Sequence, residues 1–519
     1  MSKLAMGLYD DLDKQTQPLL EIDVTANNLI VFGGHRSGKT TVIKTVLVRL
    51  HENLTTELER DIYVLDFGGN LGQYKDLNCI SACFDSSNEE NVRRVFRTIE
   101  KKVEKNTKLL ASRQFLDVFY SADTAKPAHI MLIIDNVNSF LADERYESYH
   151  ETLLKFCRDG LSKGLSIIFT ATDLAGGMTR FMNYFGYRFA LKGSADKYID
   201  IFGMKVNEPM HNPGRGITLI EGKPMEFQIF RPFRNEDRDL PMFKEYLKSV
   251  PVRTEKLTAF SGDLTKKNFM NYLSENYKEK PTPDSFVVGL DYYEHKPIVI
   301  RMKEMHSIAI YGKKGYGKTN LLTLMIRSIR SLPGSCRFVF FDDGRKQLEA
   351  LYQENKGNSF YITSIEKMFG FLFENGYVAK VTNGSMTQDI GEKVNPPTVF
   401  ILQNKMLFQS SGGPLMNNVF PRMIAAAEEK NYWFIYSDVK KISNNDRMTE
   451  SSLNNSIAAA FLLDNIAEFV SDRGSRSVFG EMDPKELKNE YARCELGDGY
   501  FFDIESDELK KIKLIKVID

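Results

Sequence analysis

Residues 33–40 read Gly33-Gly34-His35-Arg36-Ser37-Gly38-Lys39-Thr40, and residues 312–319 read Gly312-Lys313-Lys314-Gly315-Tyr316-Gly317-Lys318-Thr319. Both fit G-x-x-x-x-G-K-[ST], the pattern of a loop that cradles phosphates. Glycines let successive backbone N–H groups turn inward into an anion-binding nest. The lysine adds a point charge for the β- and γ-phosphates, and the threonine hydroxyl is a ligand for Mg²⁺. The flanks agree with this reading. Asn28-Leu-Ile-Val-Phe32 and Ser307-Ile-Ala-Ile-Tyr311 precede the loops as short apolar strands. Apolar residues at helical spacing follow: Val42, Ile43, Val46, Leu47 and Leu50, then Leu321, Leu322, Met325, Ile326 and Ile329. Each loop is therefore expected between a strand and a helix N-terminus, where an anion is best received.

Working outward, further landmarks recur at a nearly constant offset. Gly7-Leu8 returns as Gly289-Leu290, and Pro18-Leu-Leu-Glu-Ile-Asp23 as Pro297-Ile-Val-Ile-Arg301. Asp61-Ile-Tyr-Val-Leu-Asp66 returns as Arg337-Phe-Val-Phe-Phe-Asp342. Such spacing indicates a duplicated module. A chain of 519 residues exceeds one core and fits two domains of about 200–250 residues each. We expect a first domain over 1–232, a linker with two short helices over 233–284, and a second domain over 285–519. The expected fold is α/β: two tandem P-loop NTPase domains, each a mostly parallel twisted sheet with helices on both faces.

The strand His129-Ile-Met-Leu-Ile-Ile-Asp135 places a carboxylate where a P-loop protein holds Mg²⁺. The next position, which carries the water-activating Glu in active relatives of such loops, is Asn136. In the second copy, Thr398-Val-Phe-Ile-Leu-Gln403-Asn404, even the metal-binding Asp is replaced, by Gln403. Asp66 and Asp342 end buried strands and read equally as turn caps or site residues. Thr170, Thr172 and Asp173 end another strand, and either cap it or sense the γ-phosphate. A helix is expected over about 86–112, opened by Ser86-x-x-Glu89 as a capping box. Each module closes on a strand pair, the first behind Pro213-Gly214-Arg215-Gly216.

The composition narrows the classes. The formal net charge is +0, so no global field draws nucleic acid or membrane. The five cysteines are scattered and read as reduced thiols rather than a zinc site or a disulfide framework. No apolar run approaches the ~18 residues of a membrane span, so any membrane attachment is expected through a partner rather than by insertion of this chain.

The tandem P-loops, the Gly-Leu…Pro entry before each, the apolar strands ending at Asp135 and Gln403, and the Pro213–Gly216 turn resemble the FtsK/SpoIIIE group of ring-forming ATPases. Within it they resemble the second and third C-terminal ATPase modules of the type VII secretion ATPases, EssC and EccC. The resemblance implies ATP and Mg²⁺ as cofactors. It assigns nucleotide binding to Gly33, Gly34, His35, Arg36, Ser37, Gly38, Lys39, Thr40 and Thr41. In the second module it assigns the same role to Gly312, Lys313, Lys314, Gly315, Tyr316, Gly317, Lys318, Thr319 and Asn320. It gives Mg²⁺ to Thr40 and Asp135 in the first site and leaves Thr319 alone in the second. Asp135, Asn136 and Arg188 stand at the catalytic positions, with Arg188 either an arginine finger for a neighbouring subunit or a structural ion pair. The second module has Ala460 nearby instead.

The implied function is an ATP-binding motor or coupling module of a type VII protein secretion system, with slow or regulated hydrolysis. Its implied partners are secreted helical-hairpin substrates, other subunits of the machine and, in a ring, further copies of the chain. Its implied place is the cytoplasm, at the inner face of the membrane. Two other readings remain open at this point: a DNA translocase of the same fold, and a nucleotide-gated binding module without turnover.

Overall fold

The computed structural model describes residues 3–52, 60–87, 89–121, 126–193, 195–209, 212–250, 254, 256–257, 264–276, 282–292, 294–312, 315–342, 344–378, 390–403, 419–439, 458–463, 496–503 and 508–517. The chain divides into two compact units, Met1–Phe260 and Ser261–Asp519. The stretch 233–284, expected as a linker, is thus shared between them. Its two helices run over Glu236–Leu247 and Lys266–Asn276, one in each unit.

The strands of the first unit are β1 (Lys3–Tyr9), β2 (Leu19–Asp23), β3 (Leu29–Phe32), β4 (Arg60–Asp66), β5 (Ile80–Asp85), β6 (His129–Asp135), β7 (Leu165–Ala171), β8 (Tyr187–Leu191), β9 (Arg215–Ile220) and β10 (Lys223–Ile229). They form one sheet in the order β2-β1-β10-β9-β8-β3-β7-β6-β4-β5. The block from β8 to β5 is parallel, and the remaining pairs are antiparallel. In the second unit the strands are β11 (Ser285–Asp291), β12 (Pro297–Arg301), β13 (Ser307–Gly312), β14 (Arg337–Asp342), β15 (Ser359–Ile362), β16 (Thr398–Gln403), β17 (Tyr432–Val439), β18 (Ala459–Leu463), β19 (Asp498–Asp503) and β20 (Glu508–Leu514). Their order, β12-β11-β20-β19-β18-β13-β17-β16-β14-β15, repeats that of the first sheet strand for strand. The expected tandem α/β architecture is what the chain adopts.

Burial explains why β3 lies at the centre. All four of its residues are buried, and they alternate between the two faces of the sheet. Leu29 and Val31 pack with Val42, Val46 and Leu50 of the helix Lys39–Glu52. Ile30 and Phe32 pack on the opposite face with Val92, Val95, Phe96 and Ile99. Those four belong to the helix Glu89–Leu110, which starts two residues later than a cap at Ser86 implies. Ser86 lies outside it, and its carbonyl accepts from Arg145 Nη2 at 3.2 Å. Each fully buried side chain of this size stabilises the unit by about 1.5–3 kcal/mol relative to exposure. Leu240 and Leu247 of the helix Glu236–Leu247 join the same core as the Lys39–Glu52 helix, so that helix is packed on the first unit.

Among the described residues of this unit, His51 and His129 are buried neutral. The Cys79 N–H can only donate, so His51 Nε2 accepts from it at 3.0 Å, and the ring proton sits on Nδ1, donated to the Leu47 carbonyl at 2.6 Å. Burial pushes the His51 pKa down to about 4. His129 Nδ1 accepts from Arg60 Nε at 3.0 Å, and its Nε2 pairs with Ser166 Oγ at 2.9 Å. Burial, then the Arg60 charge, holds its pKa well below the ordinary value. Both folded-state values lie below the unfolded value near 6.5. Stability is therefore complete above about pH 6.5 and is lost as the pH falls below it, because only the unfolded chain takes up protons there. For His51 alone the loss between pH 7 and pH 5 comes to roughly 2 kcal/mol. We expect the first unit's urea midpoint to drop over this range, and His51→Gln to flatten the slope in part; an equally steep slope in the variant would contradict the assignment.

Candidate functional site: the strand-end phosphate loops

The first loop, leaving the buried end of β3, is fastened on three sides by main-chain hydrogen bonds. Gly33 N–H donates to Ala171 O at 3.1 Å, Gly34 N–H to Lys192 O at 3.0 Å, and Gly214 N–H to Ser37 O at 2.7 Å. Ser37 Oγ closes the loop on itself by donating to Gly34 O at 2.9 Å. Gly38 has φ +106°, and a Cβ there would lie 2.7 Å from Gly214 N, so only glycine fits. The Pro213-Gly214 turn is thus a wall of the loop. Lys39 Nζ donates to Gly33 O at 2.7 Å and Gly34 O at 2.9 Å, which places the ammonium inside the loop's curve. Burial lowers its pKa, against the pull of Asp135. His35 and Arg36 are exposed on the rim.

Asp135 ends β6 opposite this loop. Its Oδ2 lies 3.4 Å from Thr40 Oγ1, and its Oδ1 accepts from Thr170 Oγ1 at 2.5 Å. Thr170 in turn accepts from Asn136 N–H at 2.7 Å. This resolves the open reading of Thr170: fully buried, it holds the carboxylate rather than facing a phosphate. Gly68 was not singled out from the sequence. A Cβ on it would sit 2.5 Å from Asp135 Oδ2, so glycine is needed to give the carboxylate room. Asp66 is a turn cap, accepting from Asn70 N–H at 3.2 Å and Leu71 N–H at 2.6 Å, and thereby shapes the segment that carries Gly68. Burial, the largest influence, raises the pKa of Asp135.

These groups surround a cavity of about 600 Å³ lined by the loop, Thr41, Lys44, Gly68, Asn70, Asp135 and Thr172, within the range of nucleotide-sized pockets. The donor set fits a hard divalent cation of the Mg²⁺ kind, which takes one or two protein oxygens and completes its shell with water and phosphate. Among the described residues no group of three or more His, Cys, Asp or Glu gathers as a self-sufficient metal site. A second, apolar cavity of about 250 Å³ adjoins the first and shares Gly34 and Thr172 with it.

The remaining catalytic candidates look different in three dimensions. Asn136 adopts φ 64°, ψ 62°, the left-handed region that Asn tolerates. Its Nδ2 donates to Ser139 Oγ at 2.6 Å. It forms the turn from β6 into the next helix and, beside Asp135, also lines the cavity. Among the described residues Arg188 makes no ion pair, and its guanidinium is bonded to carbonyls of its own unit. Nε donates to Phe185 O at 3.2 Å, Nη1 to Ile201 O at 2.9 Å and Nη2 to Met182 O at 2.8 Å. It braces its own unit at three carbonyls, and its register counterpart is Ala460.

The second loop follows β13. Gly312, Gly315 and Gly317 have φ of +148°, +91° and +95°. Lys318 Nζ donates to Gly312 O at 2.5 Å, matching Lys39. Register places Gln403 opposite Asp342 as Asp135 lies opposite Asp66. The Gln403 amide donates to Gln347 Oε1 at 2.7 Å and offers no anionic oxygen. Asn320, expected to contact nucleotide, spends its side chain elsewhere. Nδ2 donates to Ile515 O at 2.8 Å, and Oδ1 accepts from Val517 N–H at 2.8 Å. Asp342 accepts from Leu348 N–H at 2.9 Å and Tyr361 OH at 2.8 Å, the counterpart of the Asp66 cap. Lys313, Lys314 and Asn404 lie outside the described residues.

Two outcomes follow for variants of the first site. Gly68→Ala should displace Asp135 and weaken Mg²⁺-dependent nucleotide binding, read by titration with and without Mg²⁺. Asn136→Glu should not create an active site. Glutamate costs about 1–2 kcal/mol in the left-handed conformation, and turnover measured by phosphate release should stay low; a large gain would show that position 136 is an empty base site after all.

The FtsK/SpoIIIE family model matches residues 3–198. Among curated relatives, the ESX secretion system protein EccC of Geobacillus thermodenitrificans is 22% identical over 439 residues, 81% of this chain and 29% of the relative. The ESX-3 secretion system protein EccC3 of Mycobacterium tuberculosis is 24% identical over 366 residues, 66% of this chain and 26% of the relative. The chain thus spans under a third of either. Among solved structures, EssC (ATPases 2 and 3) from Geobacillus thermodenitrificans superposes with TM-score 0.72 at 18% identity, covering 99% of this chain and 96% of that one. Thermomonospora curvata EccC (ATPases 2 and 3), solved in complex with a signal sequence peptide, gives TM-score 0.59 at 16% identity, covering 100% and 93%. At these identities the likeness of structures is one of fold.

Proposed function

We propose, from a first module that belongs to the FtsK/SpoIIIE family over residues 3–198 and a second of the same strand order, that the chain is an ATP-binding coupling module of a type VII protein secretion system. The observation that carries this reading is the unequal chemistry of two equal folds. In the first site Lys39, Thr40 and Asp135 face one cavity, which supports a nucleotide with Mg²⁺. The second has an equivalent lysine but an amide at Gln403. When bound, ATP with Mg²⁺ supplies a polyanion that can order the loop and, in the first site, a transferable γ-phosphoryl group. The protein's own residues bind and orient it: the loop N–H groups and Lys39 receive the phosphates, Thr40 and Asp135 hold the cation, and Thr170 fixes Asp135.

Turnover on this reading is slow. No carboxylate follows Asp135, and general-base assistance is typically worth about 10²–10⁴-fold. Arg188, tied to three carbonyls, supports a bracing role better than that of a finger. The left-handed Asn136 favours the limiting case, a nucleotide-gated binding module with no turnover at all. Export would then be served by binding and shape, with a secreted helical-hairpin protein engaging the second module through its tail, other machine subunits completing the assembly, and copies of the chain arranged as a ring. The place of action is the cytoplasmic face of a membrane. Among the described residues no helix is long and apolar enough to cross one.

Occupancy is tested by titrating ATP with Mg²⁺ into the full chain. Lys39→Ala should abolish one binding event and Lys318→Ala the other, because the phosphates lose their cationic partner; undiminished binding in the double variant would end the nucleotide reading. The substrate class is tested by fluorescence anisotropy with labelled duplex DNA and a labelled C-terminal tail peptide of a helical-hairpin secretion substrate. Phosphate-gripping DNA binding weakens steeply with salt. We expect saturable peptide binding at physiological salt and only weak, salt-sensitive DNA binding. Tight DNA binding at that salt, with none to the peptide, would favour a DNA translocase.

A further inference from the structure

One wall of the first nucleotide cavity is built from a residue that is already bonded elsewhere. Lys44 lies one turn beyond Thr40 on the Lys39–Glu52 helix and lines the cavity. Its ammonium donates to both carboxylate oxygens of Glu236, at 2.7 and 3.0 Å. Glu236 is the first residue of the helix Glu236–Leu247, from which the chain runs on toward the second unit. Two more donors converge on its Oε1: Tyr74 OH at 2.9 Å, and Gln73 Nε2. Lys44 also sits 5.5 Å from the Tyr74 ring centroid. Gln73 and Tyr74 continue the segment that begins with Gly68 and Asn70 on the cavity wall. So the P-loop helix, the Gly68 segment and the outgoing helix meet at one carboxylate.

The same side of the unit holds the chain beyond that helix. Asn78 Nδ2 donates to Leu247 O at 2.6 Å and Val250 O at 3.1 Å. Lys256 Nζ donates to Leu77 O at 2.6 Å and Ile80 O at 2.7 Å, and Leu257 N–H to Ser81 O at 2.7 Å. The outgoing chain is therefore laid along residues 72–81, which connect directly to the cavity wall.

We propose that Glu236 is a latch that ties the outgoing helix to the first nucleotide site through Lys44, and that a nucleotide in that site loosens it. This rests on the nucleotide reading of the first cavity. The physics is competition for one cation. A polyanion entering the cavity attracts the Lys44 ammonium and repels the Glu236 carboxylate. The pair is largely shielded, with Lys44 at 16% and Glu236 at 32% side-chain exposure, so salt screens it only in part. Coupling is reciprocal: by whatever factor Glu236 opposes nucleotide, nucleotide opposes the hold of Lys44 on Glu236. A helix-start carboxylate serving only the helix would be indifferent to nucleotide.

The test uses the full chain. ATP·Mg²⁺ binding is measured by titration, and amide hydrogen exchange over residues 236–250 is measured with and without ATP·Mg²⁺. In the wild type, nucleotide should speed exchange there several-fold. Glu236→Gln, which keeps the shape and removes the charge, should tighten ATP binding at the first site by up to about fivefold and abolish the nucleotide-dependent change. Tyr74→Phe, which removes one bond to Glu236 and leaves the ion pair, should keep that change. If Glu236→Gln fails to fold, Lys44→Met serves instead and should likewise lose the response. ATP binding to the wild type with no change in exchange over 236–250, or an unchanged affinity in Glu236→Gln, overturns the latch while leaving the nucleotide reading intact. No ATP binding to the wild type at all overturns both.

Discussion

The structure depends on how the phosphate loop is suspended from the sheet. Gly33 and Gly34 donate to Ala171 O and Lys192 O, at the ends of the strands on either side of β3, and Ser37 O accepts from Gly214. The loop's backbone is therefore positioned by three separate parts of the chain, each anchored by buried strand residues. A loop that must present its N–H groups to an anion cannot satisfy its geometry through those groups in the free protein. It is held by the bonds at its two ends and by glycines that allow the neighbouring Gly214 turn to approach within contact. The parallel sheet, buried on both faces, supplies that rigidity.

From this follows the division of labour at the ligand edge. Asp135 stands at the end of a strand whose residues are all buried, so its carboxylate would be costly without partners. Thr170 supplies one and Thr40 another, and Gly68 leaves space on the remaining side. In the second unit the register is retained, but Gln403 turns its amide to Gln347 and needs no cation to be satisfied. A neutral residue there avoids the burial of a charge and leaves no carboxylate at the strand end. One substitution changes the charge at this strand end while the strand register is kept.

How much of this was legible in the sequence follows the same line. The two sheets, their duplication and the loops were readable because they rest on patterns spread over many residues: apolar runs, glycine spacing, recurring landmarks. The Asp135 and Gln403 positions were readable because each ends such a run. The roles of Thr170, Gly68, Pro213 and Gly214 were not, since each depends on a neighbour brought close by the strand order rather than by spacing along the chain. Arg188 and Asn320 show the converse. Their residue types suit a site, but local carbonyls at Met182, Phe185, Ile201 and Ile515 claim their donors first. Asn136 carried one usable signal. Asn is among the few side chains that settle in the left-handed region, and it sits at a strand-to-helix turn.

The latch at Glu236 belongs to this second kind of information. Lys44 and Glu236 are far apart in sequence and sit on helices that look ordinary on their own, one amphipathic, the other opening with acidic residues. A first-turn carboxylate is expected near the positive end of a helix, so the sequence offers a sufficient local reason for Glu236 and hides the distant one. What distinguishes it is the convergence of Lys44, Tyr74 and Gln73 on one carboxylate at the margin of a cavity lined by Lys44 itself. A contact that only stabilised the helix would gain nothing from lying where a polyanion is to bind. Placed there, it makes the hold on the outgoing chain depend on the charge inside the site.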